Sequence, residues 1–157
     1  MALVLGTTYD NVFYDNVLQK LRSIIVTDRA CTVYVSPTYK DRGTYSVRLW
    51  GQSSETDLMT ASEWRKLYSV EIALYSIGEE GDERFYEQLY SDAERLYQLL
   101  FNNKENGAAS FPWHDGTVSE VVFDEFTDDE DGVDGLHVAR FSFSCRLFDL
   151  INSVIFL

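Results

Sequence analysis

Seven acidic side chains crowd one stretch of the chain, and the chemistry they could perform is cation binding. They are Asp124, Glu125, Asp128, Asp129, Glu130, Asp131 and Asp134. If Gly132 takes the sixth position of an EF-hand loop, Val138 stands at the twelfth, where a bidentate glutamate is required. Strand-like alternation flanks the stretch where an EF-hand has helices. We therefore predict no metal site, and interpret residues 127–135 as an acidic hairpin loop, either a solvated tip or a negative rim on an assembly.

Histidine and cysteine, the residues of most nucleophile and zinc sites, occur only twice each. His114 falls in a predicted loop, and His137 falls on the apolar side of a predicted strand, as a core histidine does. Neither Cys31 nor Cys145 has the paired spacing of a zinc ligand or a nucleophile signature around it. The turn at residues 78–81, Gly-Glu-Glu-Gly, lacks the ending of a phosphate loop, and its glutamates would repel phosphate. We predict that the chain is not an enzyme and binds no cofactor.

The charge balance bears on the class of partner. The 157 residues carry 26 acidic and 13 basic side chains, for a net charge of −13. Nucleic-acid binding needs clustered cations, and solvated salt bridges explain the modest basic group Lys40, Arg42 and Arg48 as well as any ligand does. An acidic surface fits a protein that must avoid sticking to DNA. No apolar run approaches the roughly 20 residues of a membrane span, and the start shows no signal peptide. We expect synthesis in the cytoplasm, no membrane contact, and reduced cysteines that serve as packing residues.

Two helices are predicted from apolar residues at spacings of three and four. The first covers about residues 9–26, with Phe13, Val17, Leu21 and Ile24 on its apolar side. The second covers residues 82–103, where Asp82 can cap the N-terminus. Its apolar stripe is Phe85, Leu89, Ala93, Leu96 and Leu100. A tyrosine stripe, formed by Tyr86, Tyr90 and Tyr97, lies beside it.

Five strands are predicted from alternation, at residues 31–36, 45–49, 67–77, 118–126 and 137–147. The third is apolar on both faces, which indicates a central strand or a partner on one side. Residues 51–63 are polar without a period and are interpreted as an exposed loop, and residues 102–117 as a long connection. The fold class is therefore α+β: an antiparallel or mixed sheet of about four to five strands packed by two amphipathic helices, in the order α-β-β-β-α-β-β. Residues 1–157 form one domain with an apolar C-terminal tail, 150–157.

This order of segments resembles the tail-terminator, or tail-completion, proteins of tailed bacteriophages, whose fold is shared by neck proteins that join head to tail. The resemblance covers residues 9–26, 31–77, 82–103 and 118–148, and it rests on architecture and segment length without an invariant motif. The closing strand, 138–146 (Val-Ala-Arg-Phe-Ser-Phe-Ser-Cys-Arg), is the most similar part. The acidic loop 128–134 and the apolar C-terminus depart from the family pattern.

The resemblance implies a virion protein of the tail or neck that forms a homohexameric ring on the tail tube. Its partners would be further copies of itself, the tail tube protein and a neck, connector or stopper protein. DNA would pass through the lumen without specific binding. Two alternatives remain open: another neck or tail-adaptor protein of the same fold, and a monomeric acidic module that binds proteins through its aromatic residues.

Partner contacts are predicted on polar loops, because a sheet holds such loops in place for recognition. The predicted contact segments are residues 37–42, 52–63 and 154–157, together with the acidic loop. The tyrosine stripe has two interpretations. The tyrosines either flank the core stripe with their hydroxyls in water, as is common, or they form a contact between subunits. The candidate contact residues are Pro37, Tyr39, Arg42, Gln52, Glu55, Asp57, Met59, Trp64, Tyr86, Tyr90, Tyr97, Asp129, Asp131 and Phe156.

Overall fold

The chain folds as a mixed sheet packed by helices, confirming the predicted α+β class. The computed structural model describes residues 11–29, 31–37, 45–59, 63–78, 81–107, 109, 111–126 and 135–150. A π-helical segment, Val12–Leu18, runs directly into helix α1, Gln19–Asp28. The elements that follow are β1 (Val33–Val35), β2 (Tyr45–Met59), β3 (Glu63–Ile77), α2 (Glu83–Asn102), β4 (His114–Val118), β5 (Val122–Phe126) and β6 (Leu136–Leu150).

The sheet has the strand order β1-β2-β3-β6-β4, and β5 pairs with β6 beside β4. Only the β1–β2 pair is parallel, while the β2–β3, β3–β6, β4–β6 and β5–β6 pairs are antiparallel. Strand β3 is central, as its two apolar faces predicted. Tyr68, Val70, Ile72 and Leu74 of β3 belong to the main core under the helices. Ala73 and Tyr75 belong to a second buried cluster, which lies on the other face because strand side chains alternate.

Both predicted helices are present and place their apolar residues in the main core. Val17, Leu21 and Ile25 of the first helical region are fully buried. Helix α2 starts after Asp82, whose carboxylate Oδ1 accepts a hydrogen bond from the backbone N–H of Arg84 at 3.1 Å, as the predicted N-cap requires. Leu89, Ala93, Leu96 and Leu100 of α2 are buried.

Ion pairs join the two helices. Arg95 Nε lies 3.0 Å from Asp28 Oδ2, and Arg29 Nη2 lies 3.1 Å from Asp92 Oδ1. Arg29 also donates a hydrogen bond to the Tyr45 hydroxyl at the start of β2. Burial raises the pKa of Tyr45 to about 12, since loss of solvent disfavours the phenolate. Tyr45 therefore stays neutral and anchors the sheet to both helices.

Three sequence predictions about the sheet were wrong. Residues 51–59 are the second half of strand β2 and Glu63 opens β3, where an exposed loop over 51–63 was predicted. Backbone pairing with β3 holds this polar segment in a strand without apolar alternation. Residues 114–118 form β4 and residues 122–126 form β5, so His114 begins a strand in place of a loop, and the single strand predicted at 118–126 is interrupted at 119–121. The sheet has six strands within the described residues.

Arg48 is the third correction. It is 2% exposed and its guanidinium lies 4.3 Å from the centre of the Tyr34 ring on the neighbouring strand. The side chain is therefore shielded from solvent, in contrast to the solvated position predicted, and it makes a cation–π contact on the sheet's second face.

Candidate functional site

The most unusual surface of the molecule is the second half of β2, residues 51–59, called here the β2 arm. Every residue from 51 to 57 is exposed, so side chains on both sides of this strand face solvent. The arm pairs with residues 64–70 of β3 through two register shifts, while β1 pairs only with residues 47–49. Within the described chain, no strand pairs with the outer edge of the arm. Such an edge presents unpaired backbone N–H and C=O groups to other chains.

Three strands are tied together near the tip of the arm by one carboxylate. Asp57 Oδ1 accepts a hydrogen bond from Arg65 Nε at 2.9 Å, and Asp57 Oδ2 accepts one from Arg146 Nε at 2.8 Å. Hydrogen bonds from Arg146 first, and from Arg65 second, lower the pKa of Asp57, because both favour the charged carboxylate. Arg146 Nη1 also lies 3.5 Å from Asp115 of β4. The network fixes the arm against β3 and β6.

A line of small hydroxyl side chains crosses four neighbouring strands on the same face of the sheet, with one residue on each of β2, β3, β6 and β4. The register places Ser53 of β2 opposite Ser69 of β3, Ser69 opposite Ser144 of β6, and Ser144 opposite Thr117 of β4. We call these four residues the hydroxyl row. Thr117 Oγ1 and Ser144 Oγ are 2.5 Å apart and share a hydrogen bond.

The neighbouring positions on this face are also polar and hydrogen-bonded. Glu71 Oε2 accepts hydrogen bonds from Gln52 Nε2 at 2.8 Å and from Ser142 Oγ at 3.1 Å. These residues of the second face therefore form an ordered polar surface.

A second exposed surface is aromatic and runs along α2. The rings of Tyr86 and Tyr90 are 6.2 Å apart, and Tyr90 meets Phe123 of β5 at 5.1 Å in an edge-to-face contact. Tyr90 is 51% exposed and Phe123 is 46% exposed. Further along the helix, Tyr97 stacks on Phe101 at 6.4 Å. We call these five residues the aromatic strip, and it lies beside the β5 edge of the sheet.

The candidate nucleophiles and ligands lie apart in the structure. Cys145 is fully buried and burial raises its pKa to about 12; burial also raises the pKa of the half-buried Cys31. Both thiols are thus far from the thiolate form that nucleophiles use. His137 is 2% exposed and packs 4.8 Å from Phe85, confirming the predicted core histidine. Across the described residues, no three His, Cys, Asp or Glu side chains are grouped to hold a metal ion.

Two shallow grooves, of about 440 and 450 Å³, adjoin each other between α1 and α2. Asp28 and Leu99 line both grooves. The first also contains the Asp28–Arg95 ion pair, so its principal charged groups are already paired. The grooves therefore have the character of a helix–helix surface seam.

The predicted contact residues that the structure describes lie on the β2–β3 hairpin, on α2 and after β1. Gln52, Glu55 and Asp57 are exposed on the β2 arm; Met59 and Trp64 are paired residues at the turn end of the β2–β3 hairpin, opposite each other. Of the tyrosines, Tyr90 is exposed, whereas Tyr86 and Tyr97 are half-buried. Pro37 is exposed at the end of the segment after β1. The remaining candidates, Tyr39, Arg42, Asp129, Asp131 and Phe156, lie outside the described residues, as do residues 127–134 of the acidic loop and the tail from 151 on.

Sequence reasoning missed the hydroxyl row and the role of β4. Serine and threonine at single positions carry no periodic signal, and their alignment depends on the register of four strands. It also missed Phe101 and Phe123 as members of the aromatic strip, although their residue type and helix or strand position were visible. Phe101 follows Tyr97 by four residues, the spacing that places side chains on one helix face.

Comparisons with known proteins provide no family assignment. No family model matches the chain, and a search of curated proteins finds no match either. Several solved structures match, and one of them is similar over 94% of this chain and 98% of its own length, with 14% sequence identity and a TM-score of 0.44. Similarity at that level carries no argument about function. Within the described residues, no helix has the length and apolar character needed to cross a membrane.

Proposed function

We propose that this chain is a structural subunit of a tailed-phage virion, a tail terminator whose copies close into a ring, six in number, on the tail tube. The ring would stop tube growth, present a docking surface to the neck or connector, and leave a channel for DNA. Its action is geometric: the subunit contacts set the copy number, and each face of the ring fits a different partner.

The observation that carries this proposal is the β2 arm. Residues 51–57 of the arm are exposed, and no strand of the described residues pairs with the arm's outer edge, so the arm gains little from burial in a monomer. Its side chains are nevertheless ordered by the Asp57, Arg65 and Arg146 network, with N–O distances of 2.9 and 2.8 Å. An ordered, exposed arm beyond the core is the feature expected of a subunit that contacts its neighbours.

The charge supports passage of DNA through such a ring. Each copy carries a net charge of −13, so six copies would carry about −78 in all. Such a ring has too few cations to replace the counterions of DNA. DNA would therefore be repelled from the wall and slide without specific binding.

A monomeric acidic module that binds proteins is the second candidate, favoured by the aromatic strip. Tyr90, Phe101 and Phe123 are each about half exposed, and aromatic residues are enriched in protein interfaces. Another neck or tail-adaptor protein of the same fold would share the arm and would differ in its stacking partner.

Mass measurement and electron microscopy of the purified protein distinguish these functions. Light scattering after size-exclusion chromatography, up to about millimolar protein, measures the copy number, and negative-stain images show whether the assemblies are closed. The terminator proposal predicts rings that bind the end of tail tubes and limit their length. A protein that stays monomeric throughout, and leaves the length of polymerising tail tubes unchanged, would overturn it.

A further inference from the structure

The two free edges of the sheet lie on opposite sides of the same layer. On one side, the β2 arm extends past the three residues of β1; on the other side is β4, residues 114–118. In the described parts of the chain, no strand pairs with the outer side of either segment. Joining one free edge to the other in a neighbouring copy would satisfy both sets of backbone groups at once.

The hydroxyl row shows that the two edges stand at the same height along the strands. Ser53 and Thr117 end this row, which passes through Ser69 and Ser144 by direct pairing. The next row on that face runs from Glu55 through Leu67 and Arg146 to His114 in the same way. A neighbouring copy placed beside this one without axial displacement therefore sets the β2 arm opposite β4.

The strand directions are also compatible. Strands β2 and β6 both run antiparallel to β3, and β4 runs antiparallel to β6. Strand β4 therefore runs antiparallel to β2. A neighbouring copy in the same orientation would meet the β2 arm with an antiparallel strand, the arrangement with direct perpendicular hydrogen bonds.

We propose that the β2 arm of one copy pairs with β4 of the next copy, with Ser53 opposite Thr117. This proposal rests on the proposed ring and names the contact that builds it. Glu55 would then face His114 of the neighbour, a carboxylate against an imidazole. The contact is heterologous. Because it involves no axial displacement, repeated contacts close into a ring and do not build an open helical filament. A slip of two residues would add roughly 6.6 Å per subunit and open the ring.

Disulfide trapping tests this register. In the Cys31→Ser background, protein carrying Ser53→Cys is mixed with protein carrying Thr117→Cys and oxidised. Facing residues in an antiparallel pair lie about 4.5–5.5 Å apart, within disulfide range. Within one copy the two positions are three strand spacings apart, roughly 14 Å, so any bond joins two copies. We expect a crosslinked dimer from the mixture. The control pair Glu55→Cys with Thr117→Cys, offset by two residues, should crosslink at least about ten-fold less.

Lysines on the free edge provide an independent test, since edge lysines block strand pairing in trans. Ser54→Lys with Thr56→Lys changes two exposed side chains and should weaken association by about ten-fold or more. Gln88→Lys with Gln98→Lys adds the same charge to the exposed side of α2 and should leave association within about two-fold. Circular dichroism confirms that both variants fold.

The outcomes separate this inference from the proposed function. Rings that form without the 53–117 crosslink, or that crosslink more strongly at 55–117, overturn the edge pairing but are consistent with the proposed ring. A 53–117 crosslink in assemblies that never close supports the pairing and overturns the terminator. If neither crosslinks nor assemblies form at any concentration, and polymerising tail tubes also keep their length, both are refuted.

Discussion

Replacing Trp113 with phenylalanine tests how the connection after α2 is fixed, and with it the position of β4. The indole is 2% exposed, and its Nε1–H donates a hydrogen bond to the backbone oxygen of Asn16 at 2.9 Å. The ring also packs 5.1 Å from Phe143 of β6. Trp113 thus joins the first helical region, the connection and the sheet in one contact.

The expected loss in the free energy of unfolding follows from these contacts. The hydrogen bond contributes about 1 kcal/mol net. A phenyl ring buries roughly 50 Å² less apolar surface than an indole, which at about 25 cal/mol per Å² is about 1 kcal/mol more. Together with an incompletely filled space, the Trp113→Phe variant should lose about 2–3 kcal/mol. That corresponds to a melting temperature lower by about 5–10 °C for a chain of this length.

Urea unfolding followed by far-ultraviolet circular dichroism measures this change, because fluorescence would itself be altered by the loss of a tryptophan. Trp50→Phe is the matched control, since Trp50 is half-buried, and its loss should be under about 1 kcal/mol. Equal losses at the two positions, within about 0.5 kcal/mol, would refute the assignment of the Asn16 hydrogen bond and the buried ring as stabilising contacts.

Three further predictions concern packing, thiol access and ionisation. Gly116→Ala should destabilise the protein by about 2–3 kcal/mol, because its Cβ would lie 2.0 Å from the backbone oxygen of Lys104; a thermal melt that matches the wild type contradicts this clash. At pH 8 an aromatic disulfide reagent should leave Cys145 unmodified and modify Cys31 slowly, since burial raises both pKa values. In denaturant both thiols should react, and rapid modification of Cys145 in the native protein contradicts its burial. The carboxyl of Asp57 should titrate, by nuclear magnetic resonance, below its ordinary value near 3.9, because its arginine hydrogen bonds lower the pKa. Its contribution to stability is then present above pH 4 and lost as the pH falls through the lowered pKa; a midpoint at or above 3.9 contradicts the network.

The periodic parts of the sequence determined most of the fold. Helix α2 was predicted from its apolar spacing and the Asp82 cap, and β3 and β6 from alternation over many residues, because a buried face imposes its period on the residue types. The two apolar faces of β3 also indicated its central position, which the strand order confirms. These features depend on residues close together in the chain.

The β2 arm, β4 and the buried Arg48 were decided by tertiary structure alone. Residues 51–57 of the arm contain no apolar side chain, so no apolar period marked them, and backbone pairing with β3 keeps them extended. Arg48 is buried because Tyr34 of the parallel strand β1 lies beside it, a neighbour 14 residues away in sequence. The hydroxyl row likewise depends on the register of four strands. Residue types reveal which faces are buried, but only long-range pairing decides which polar residues meet.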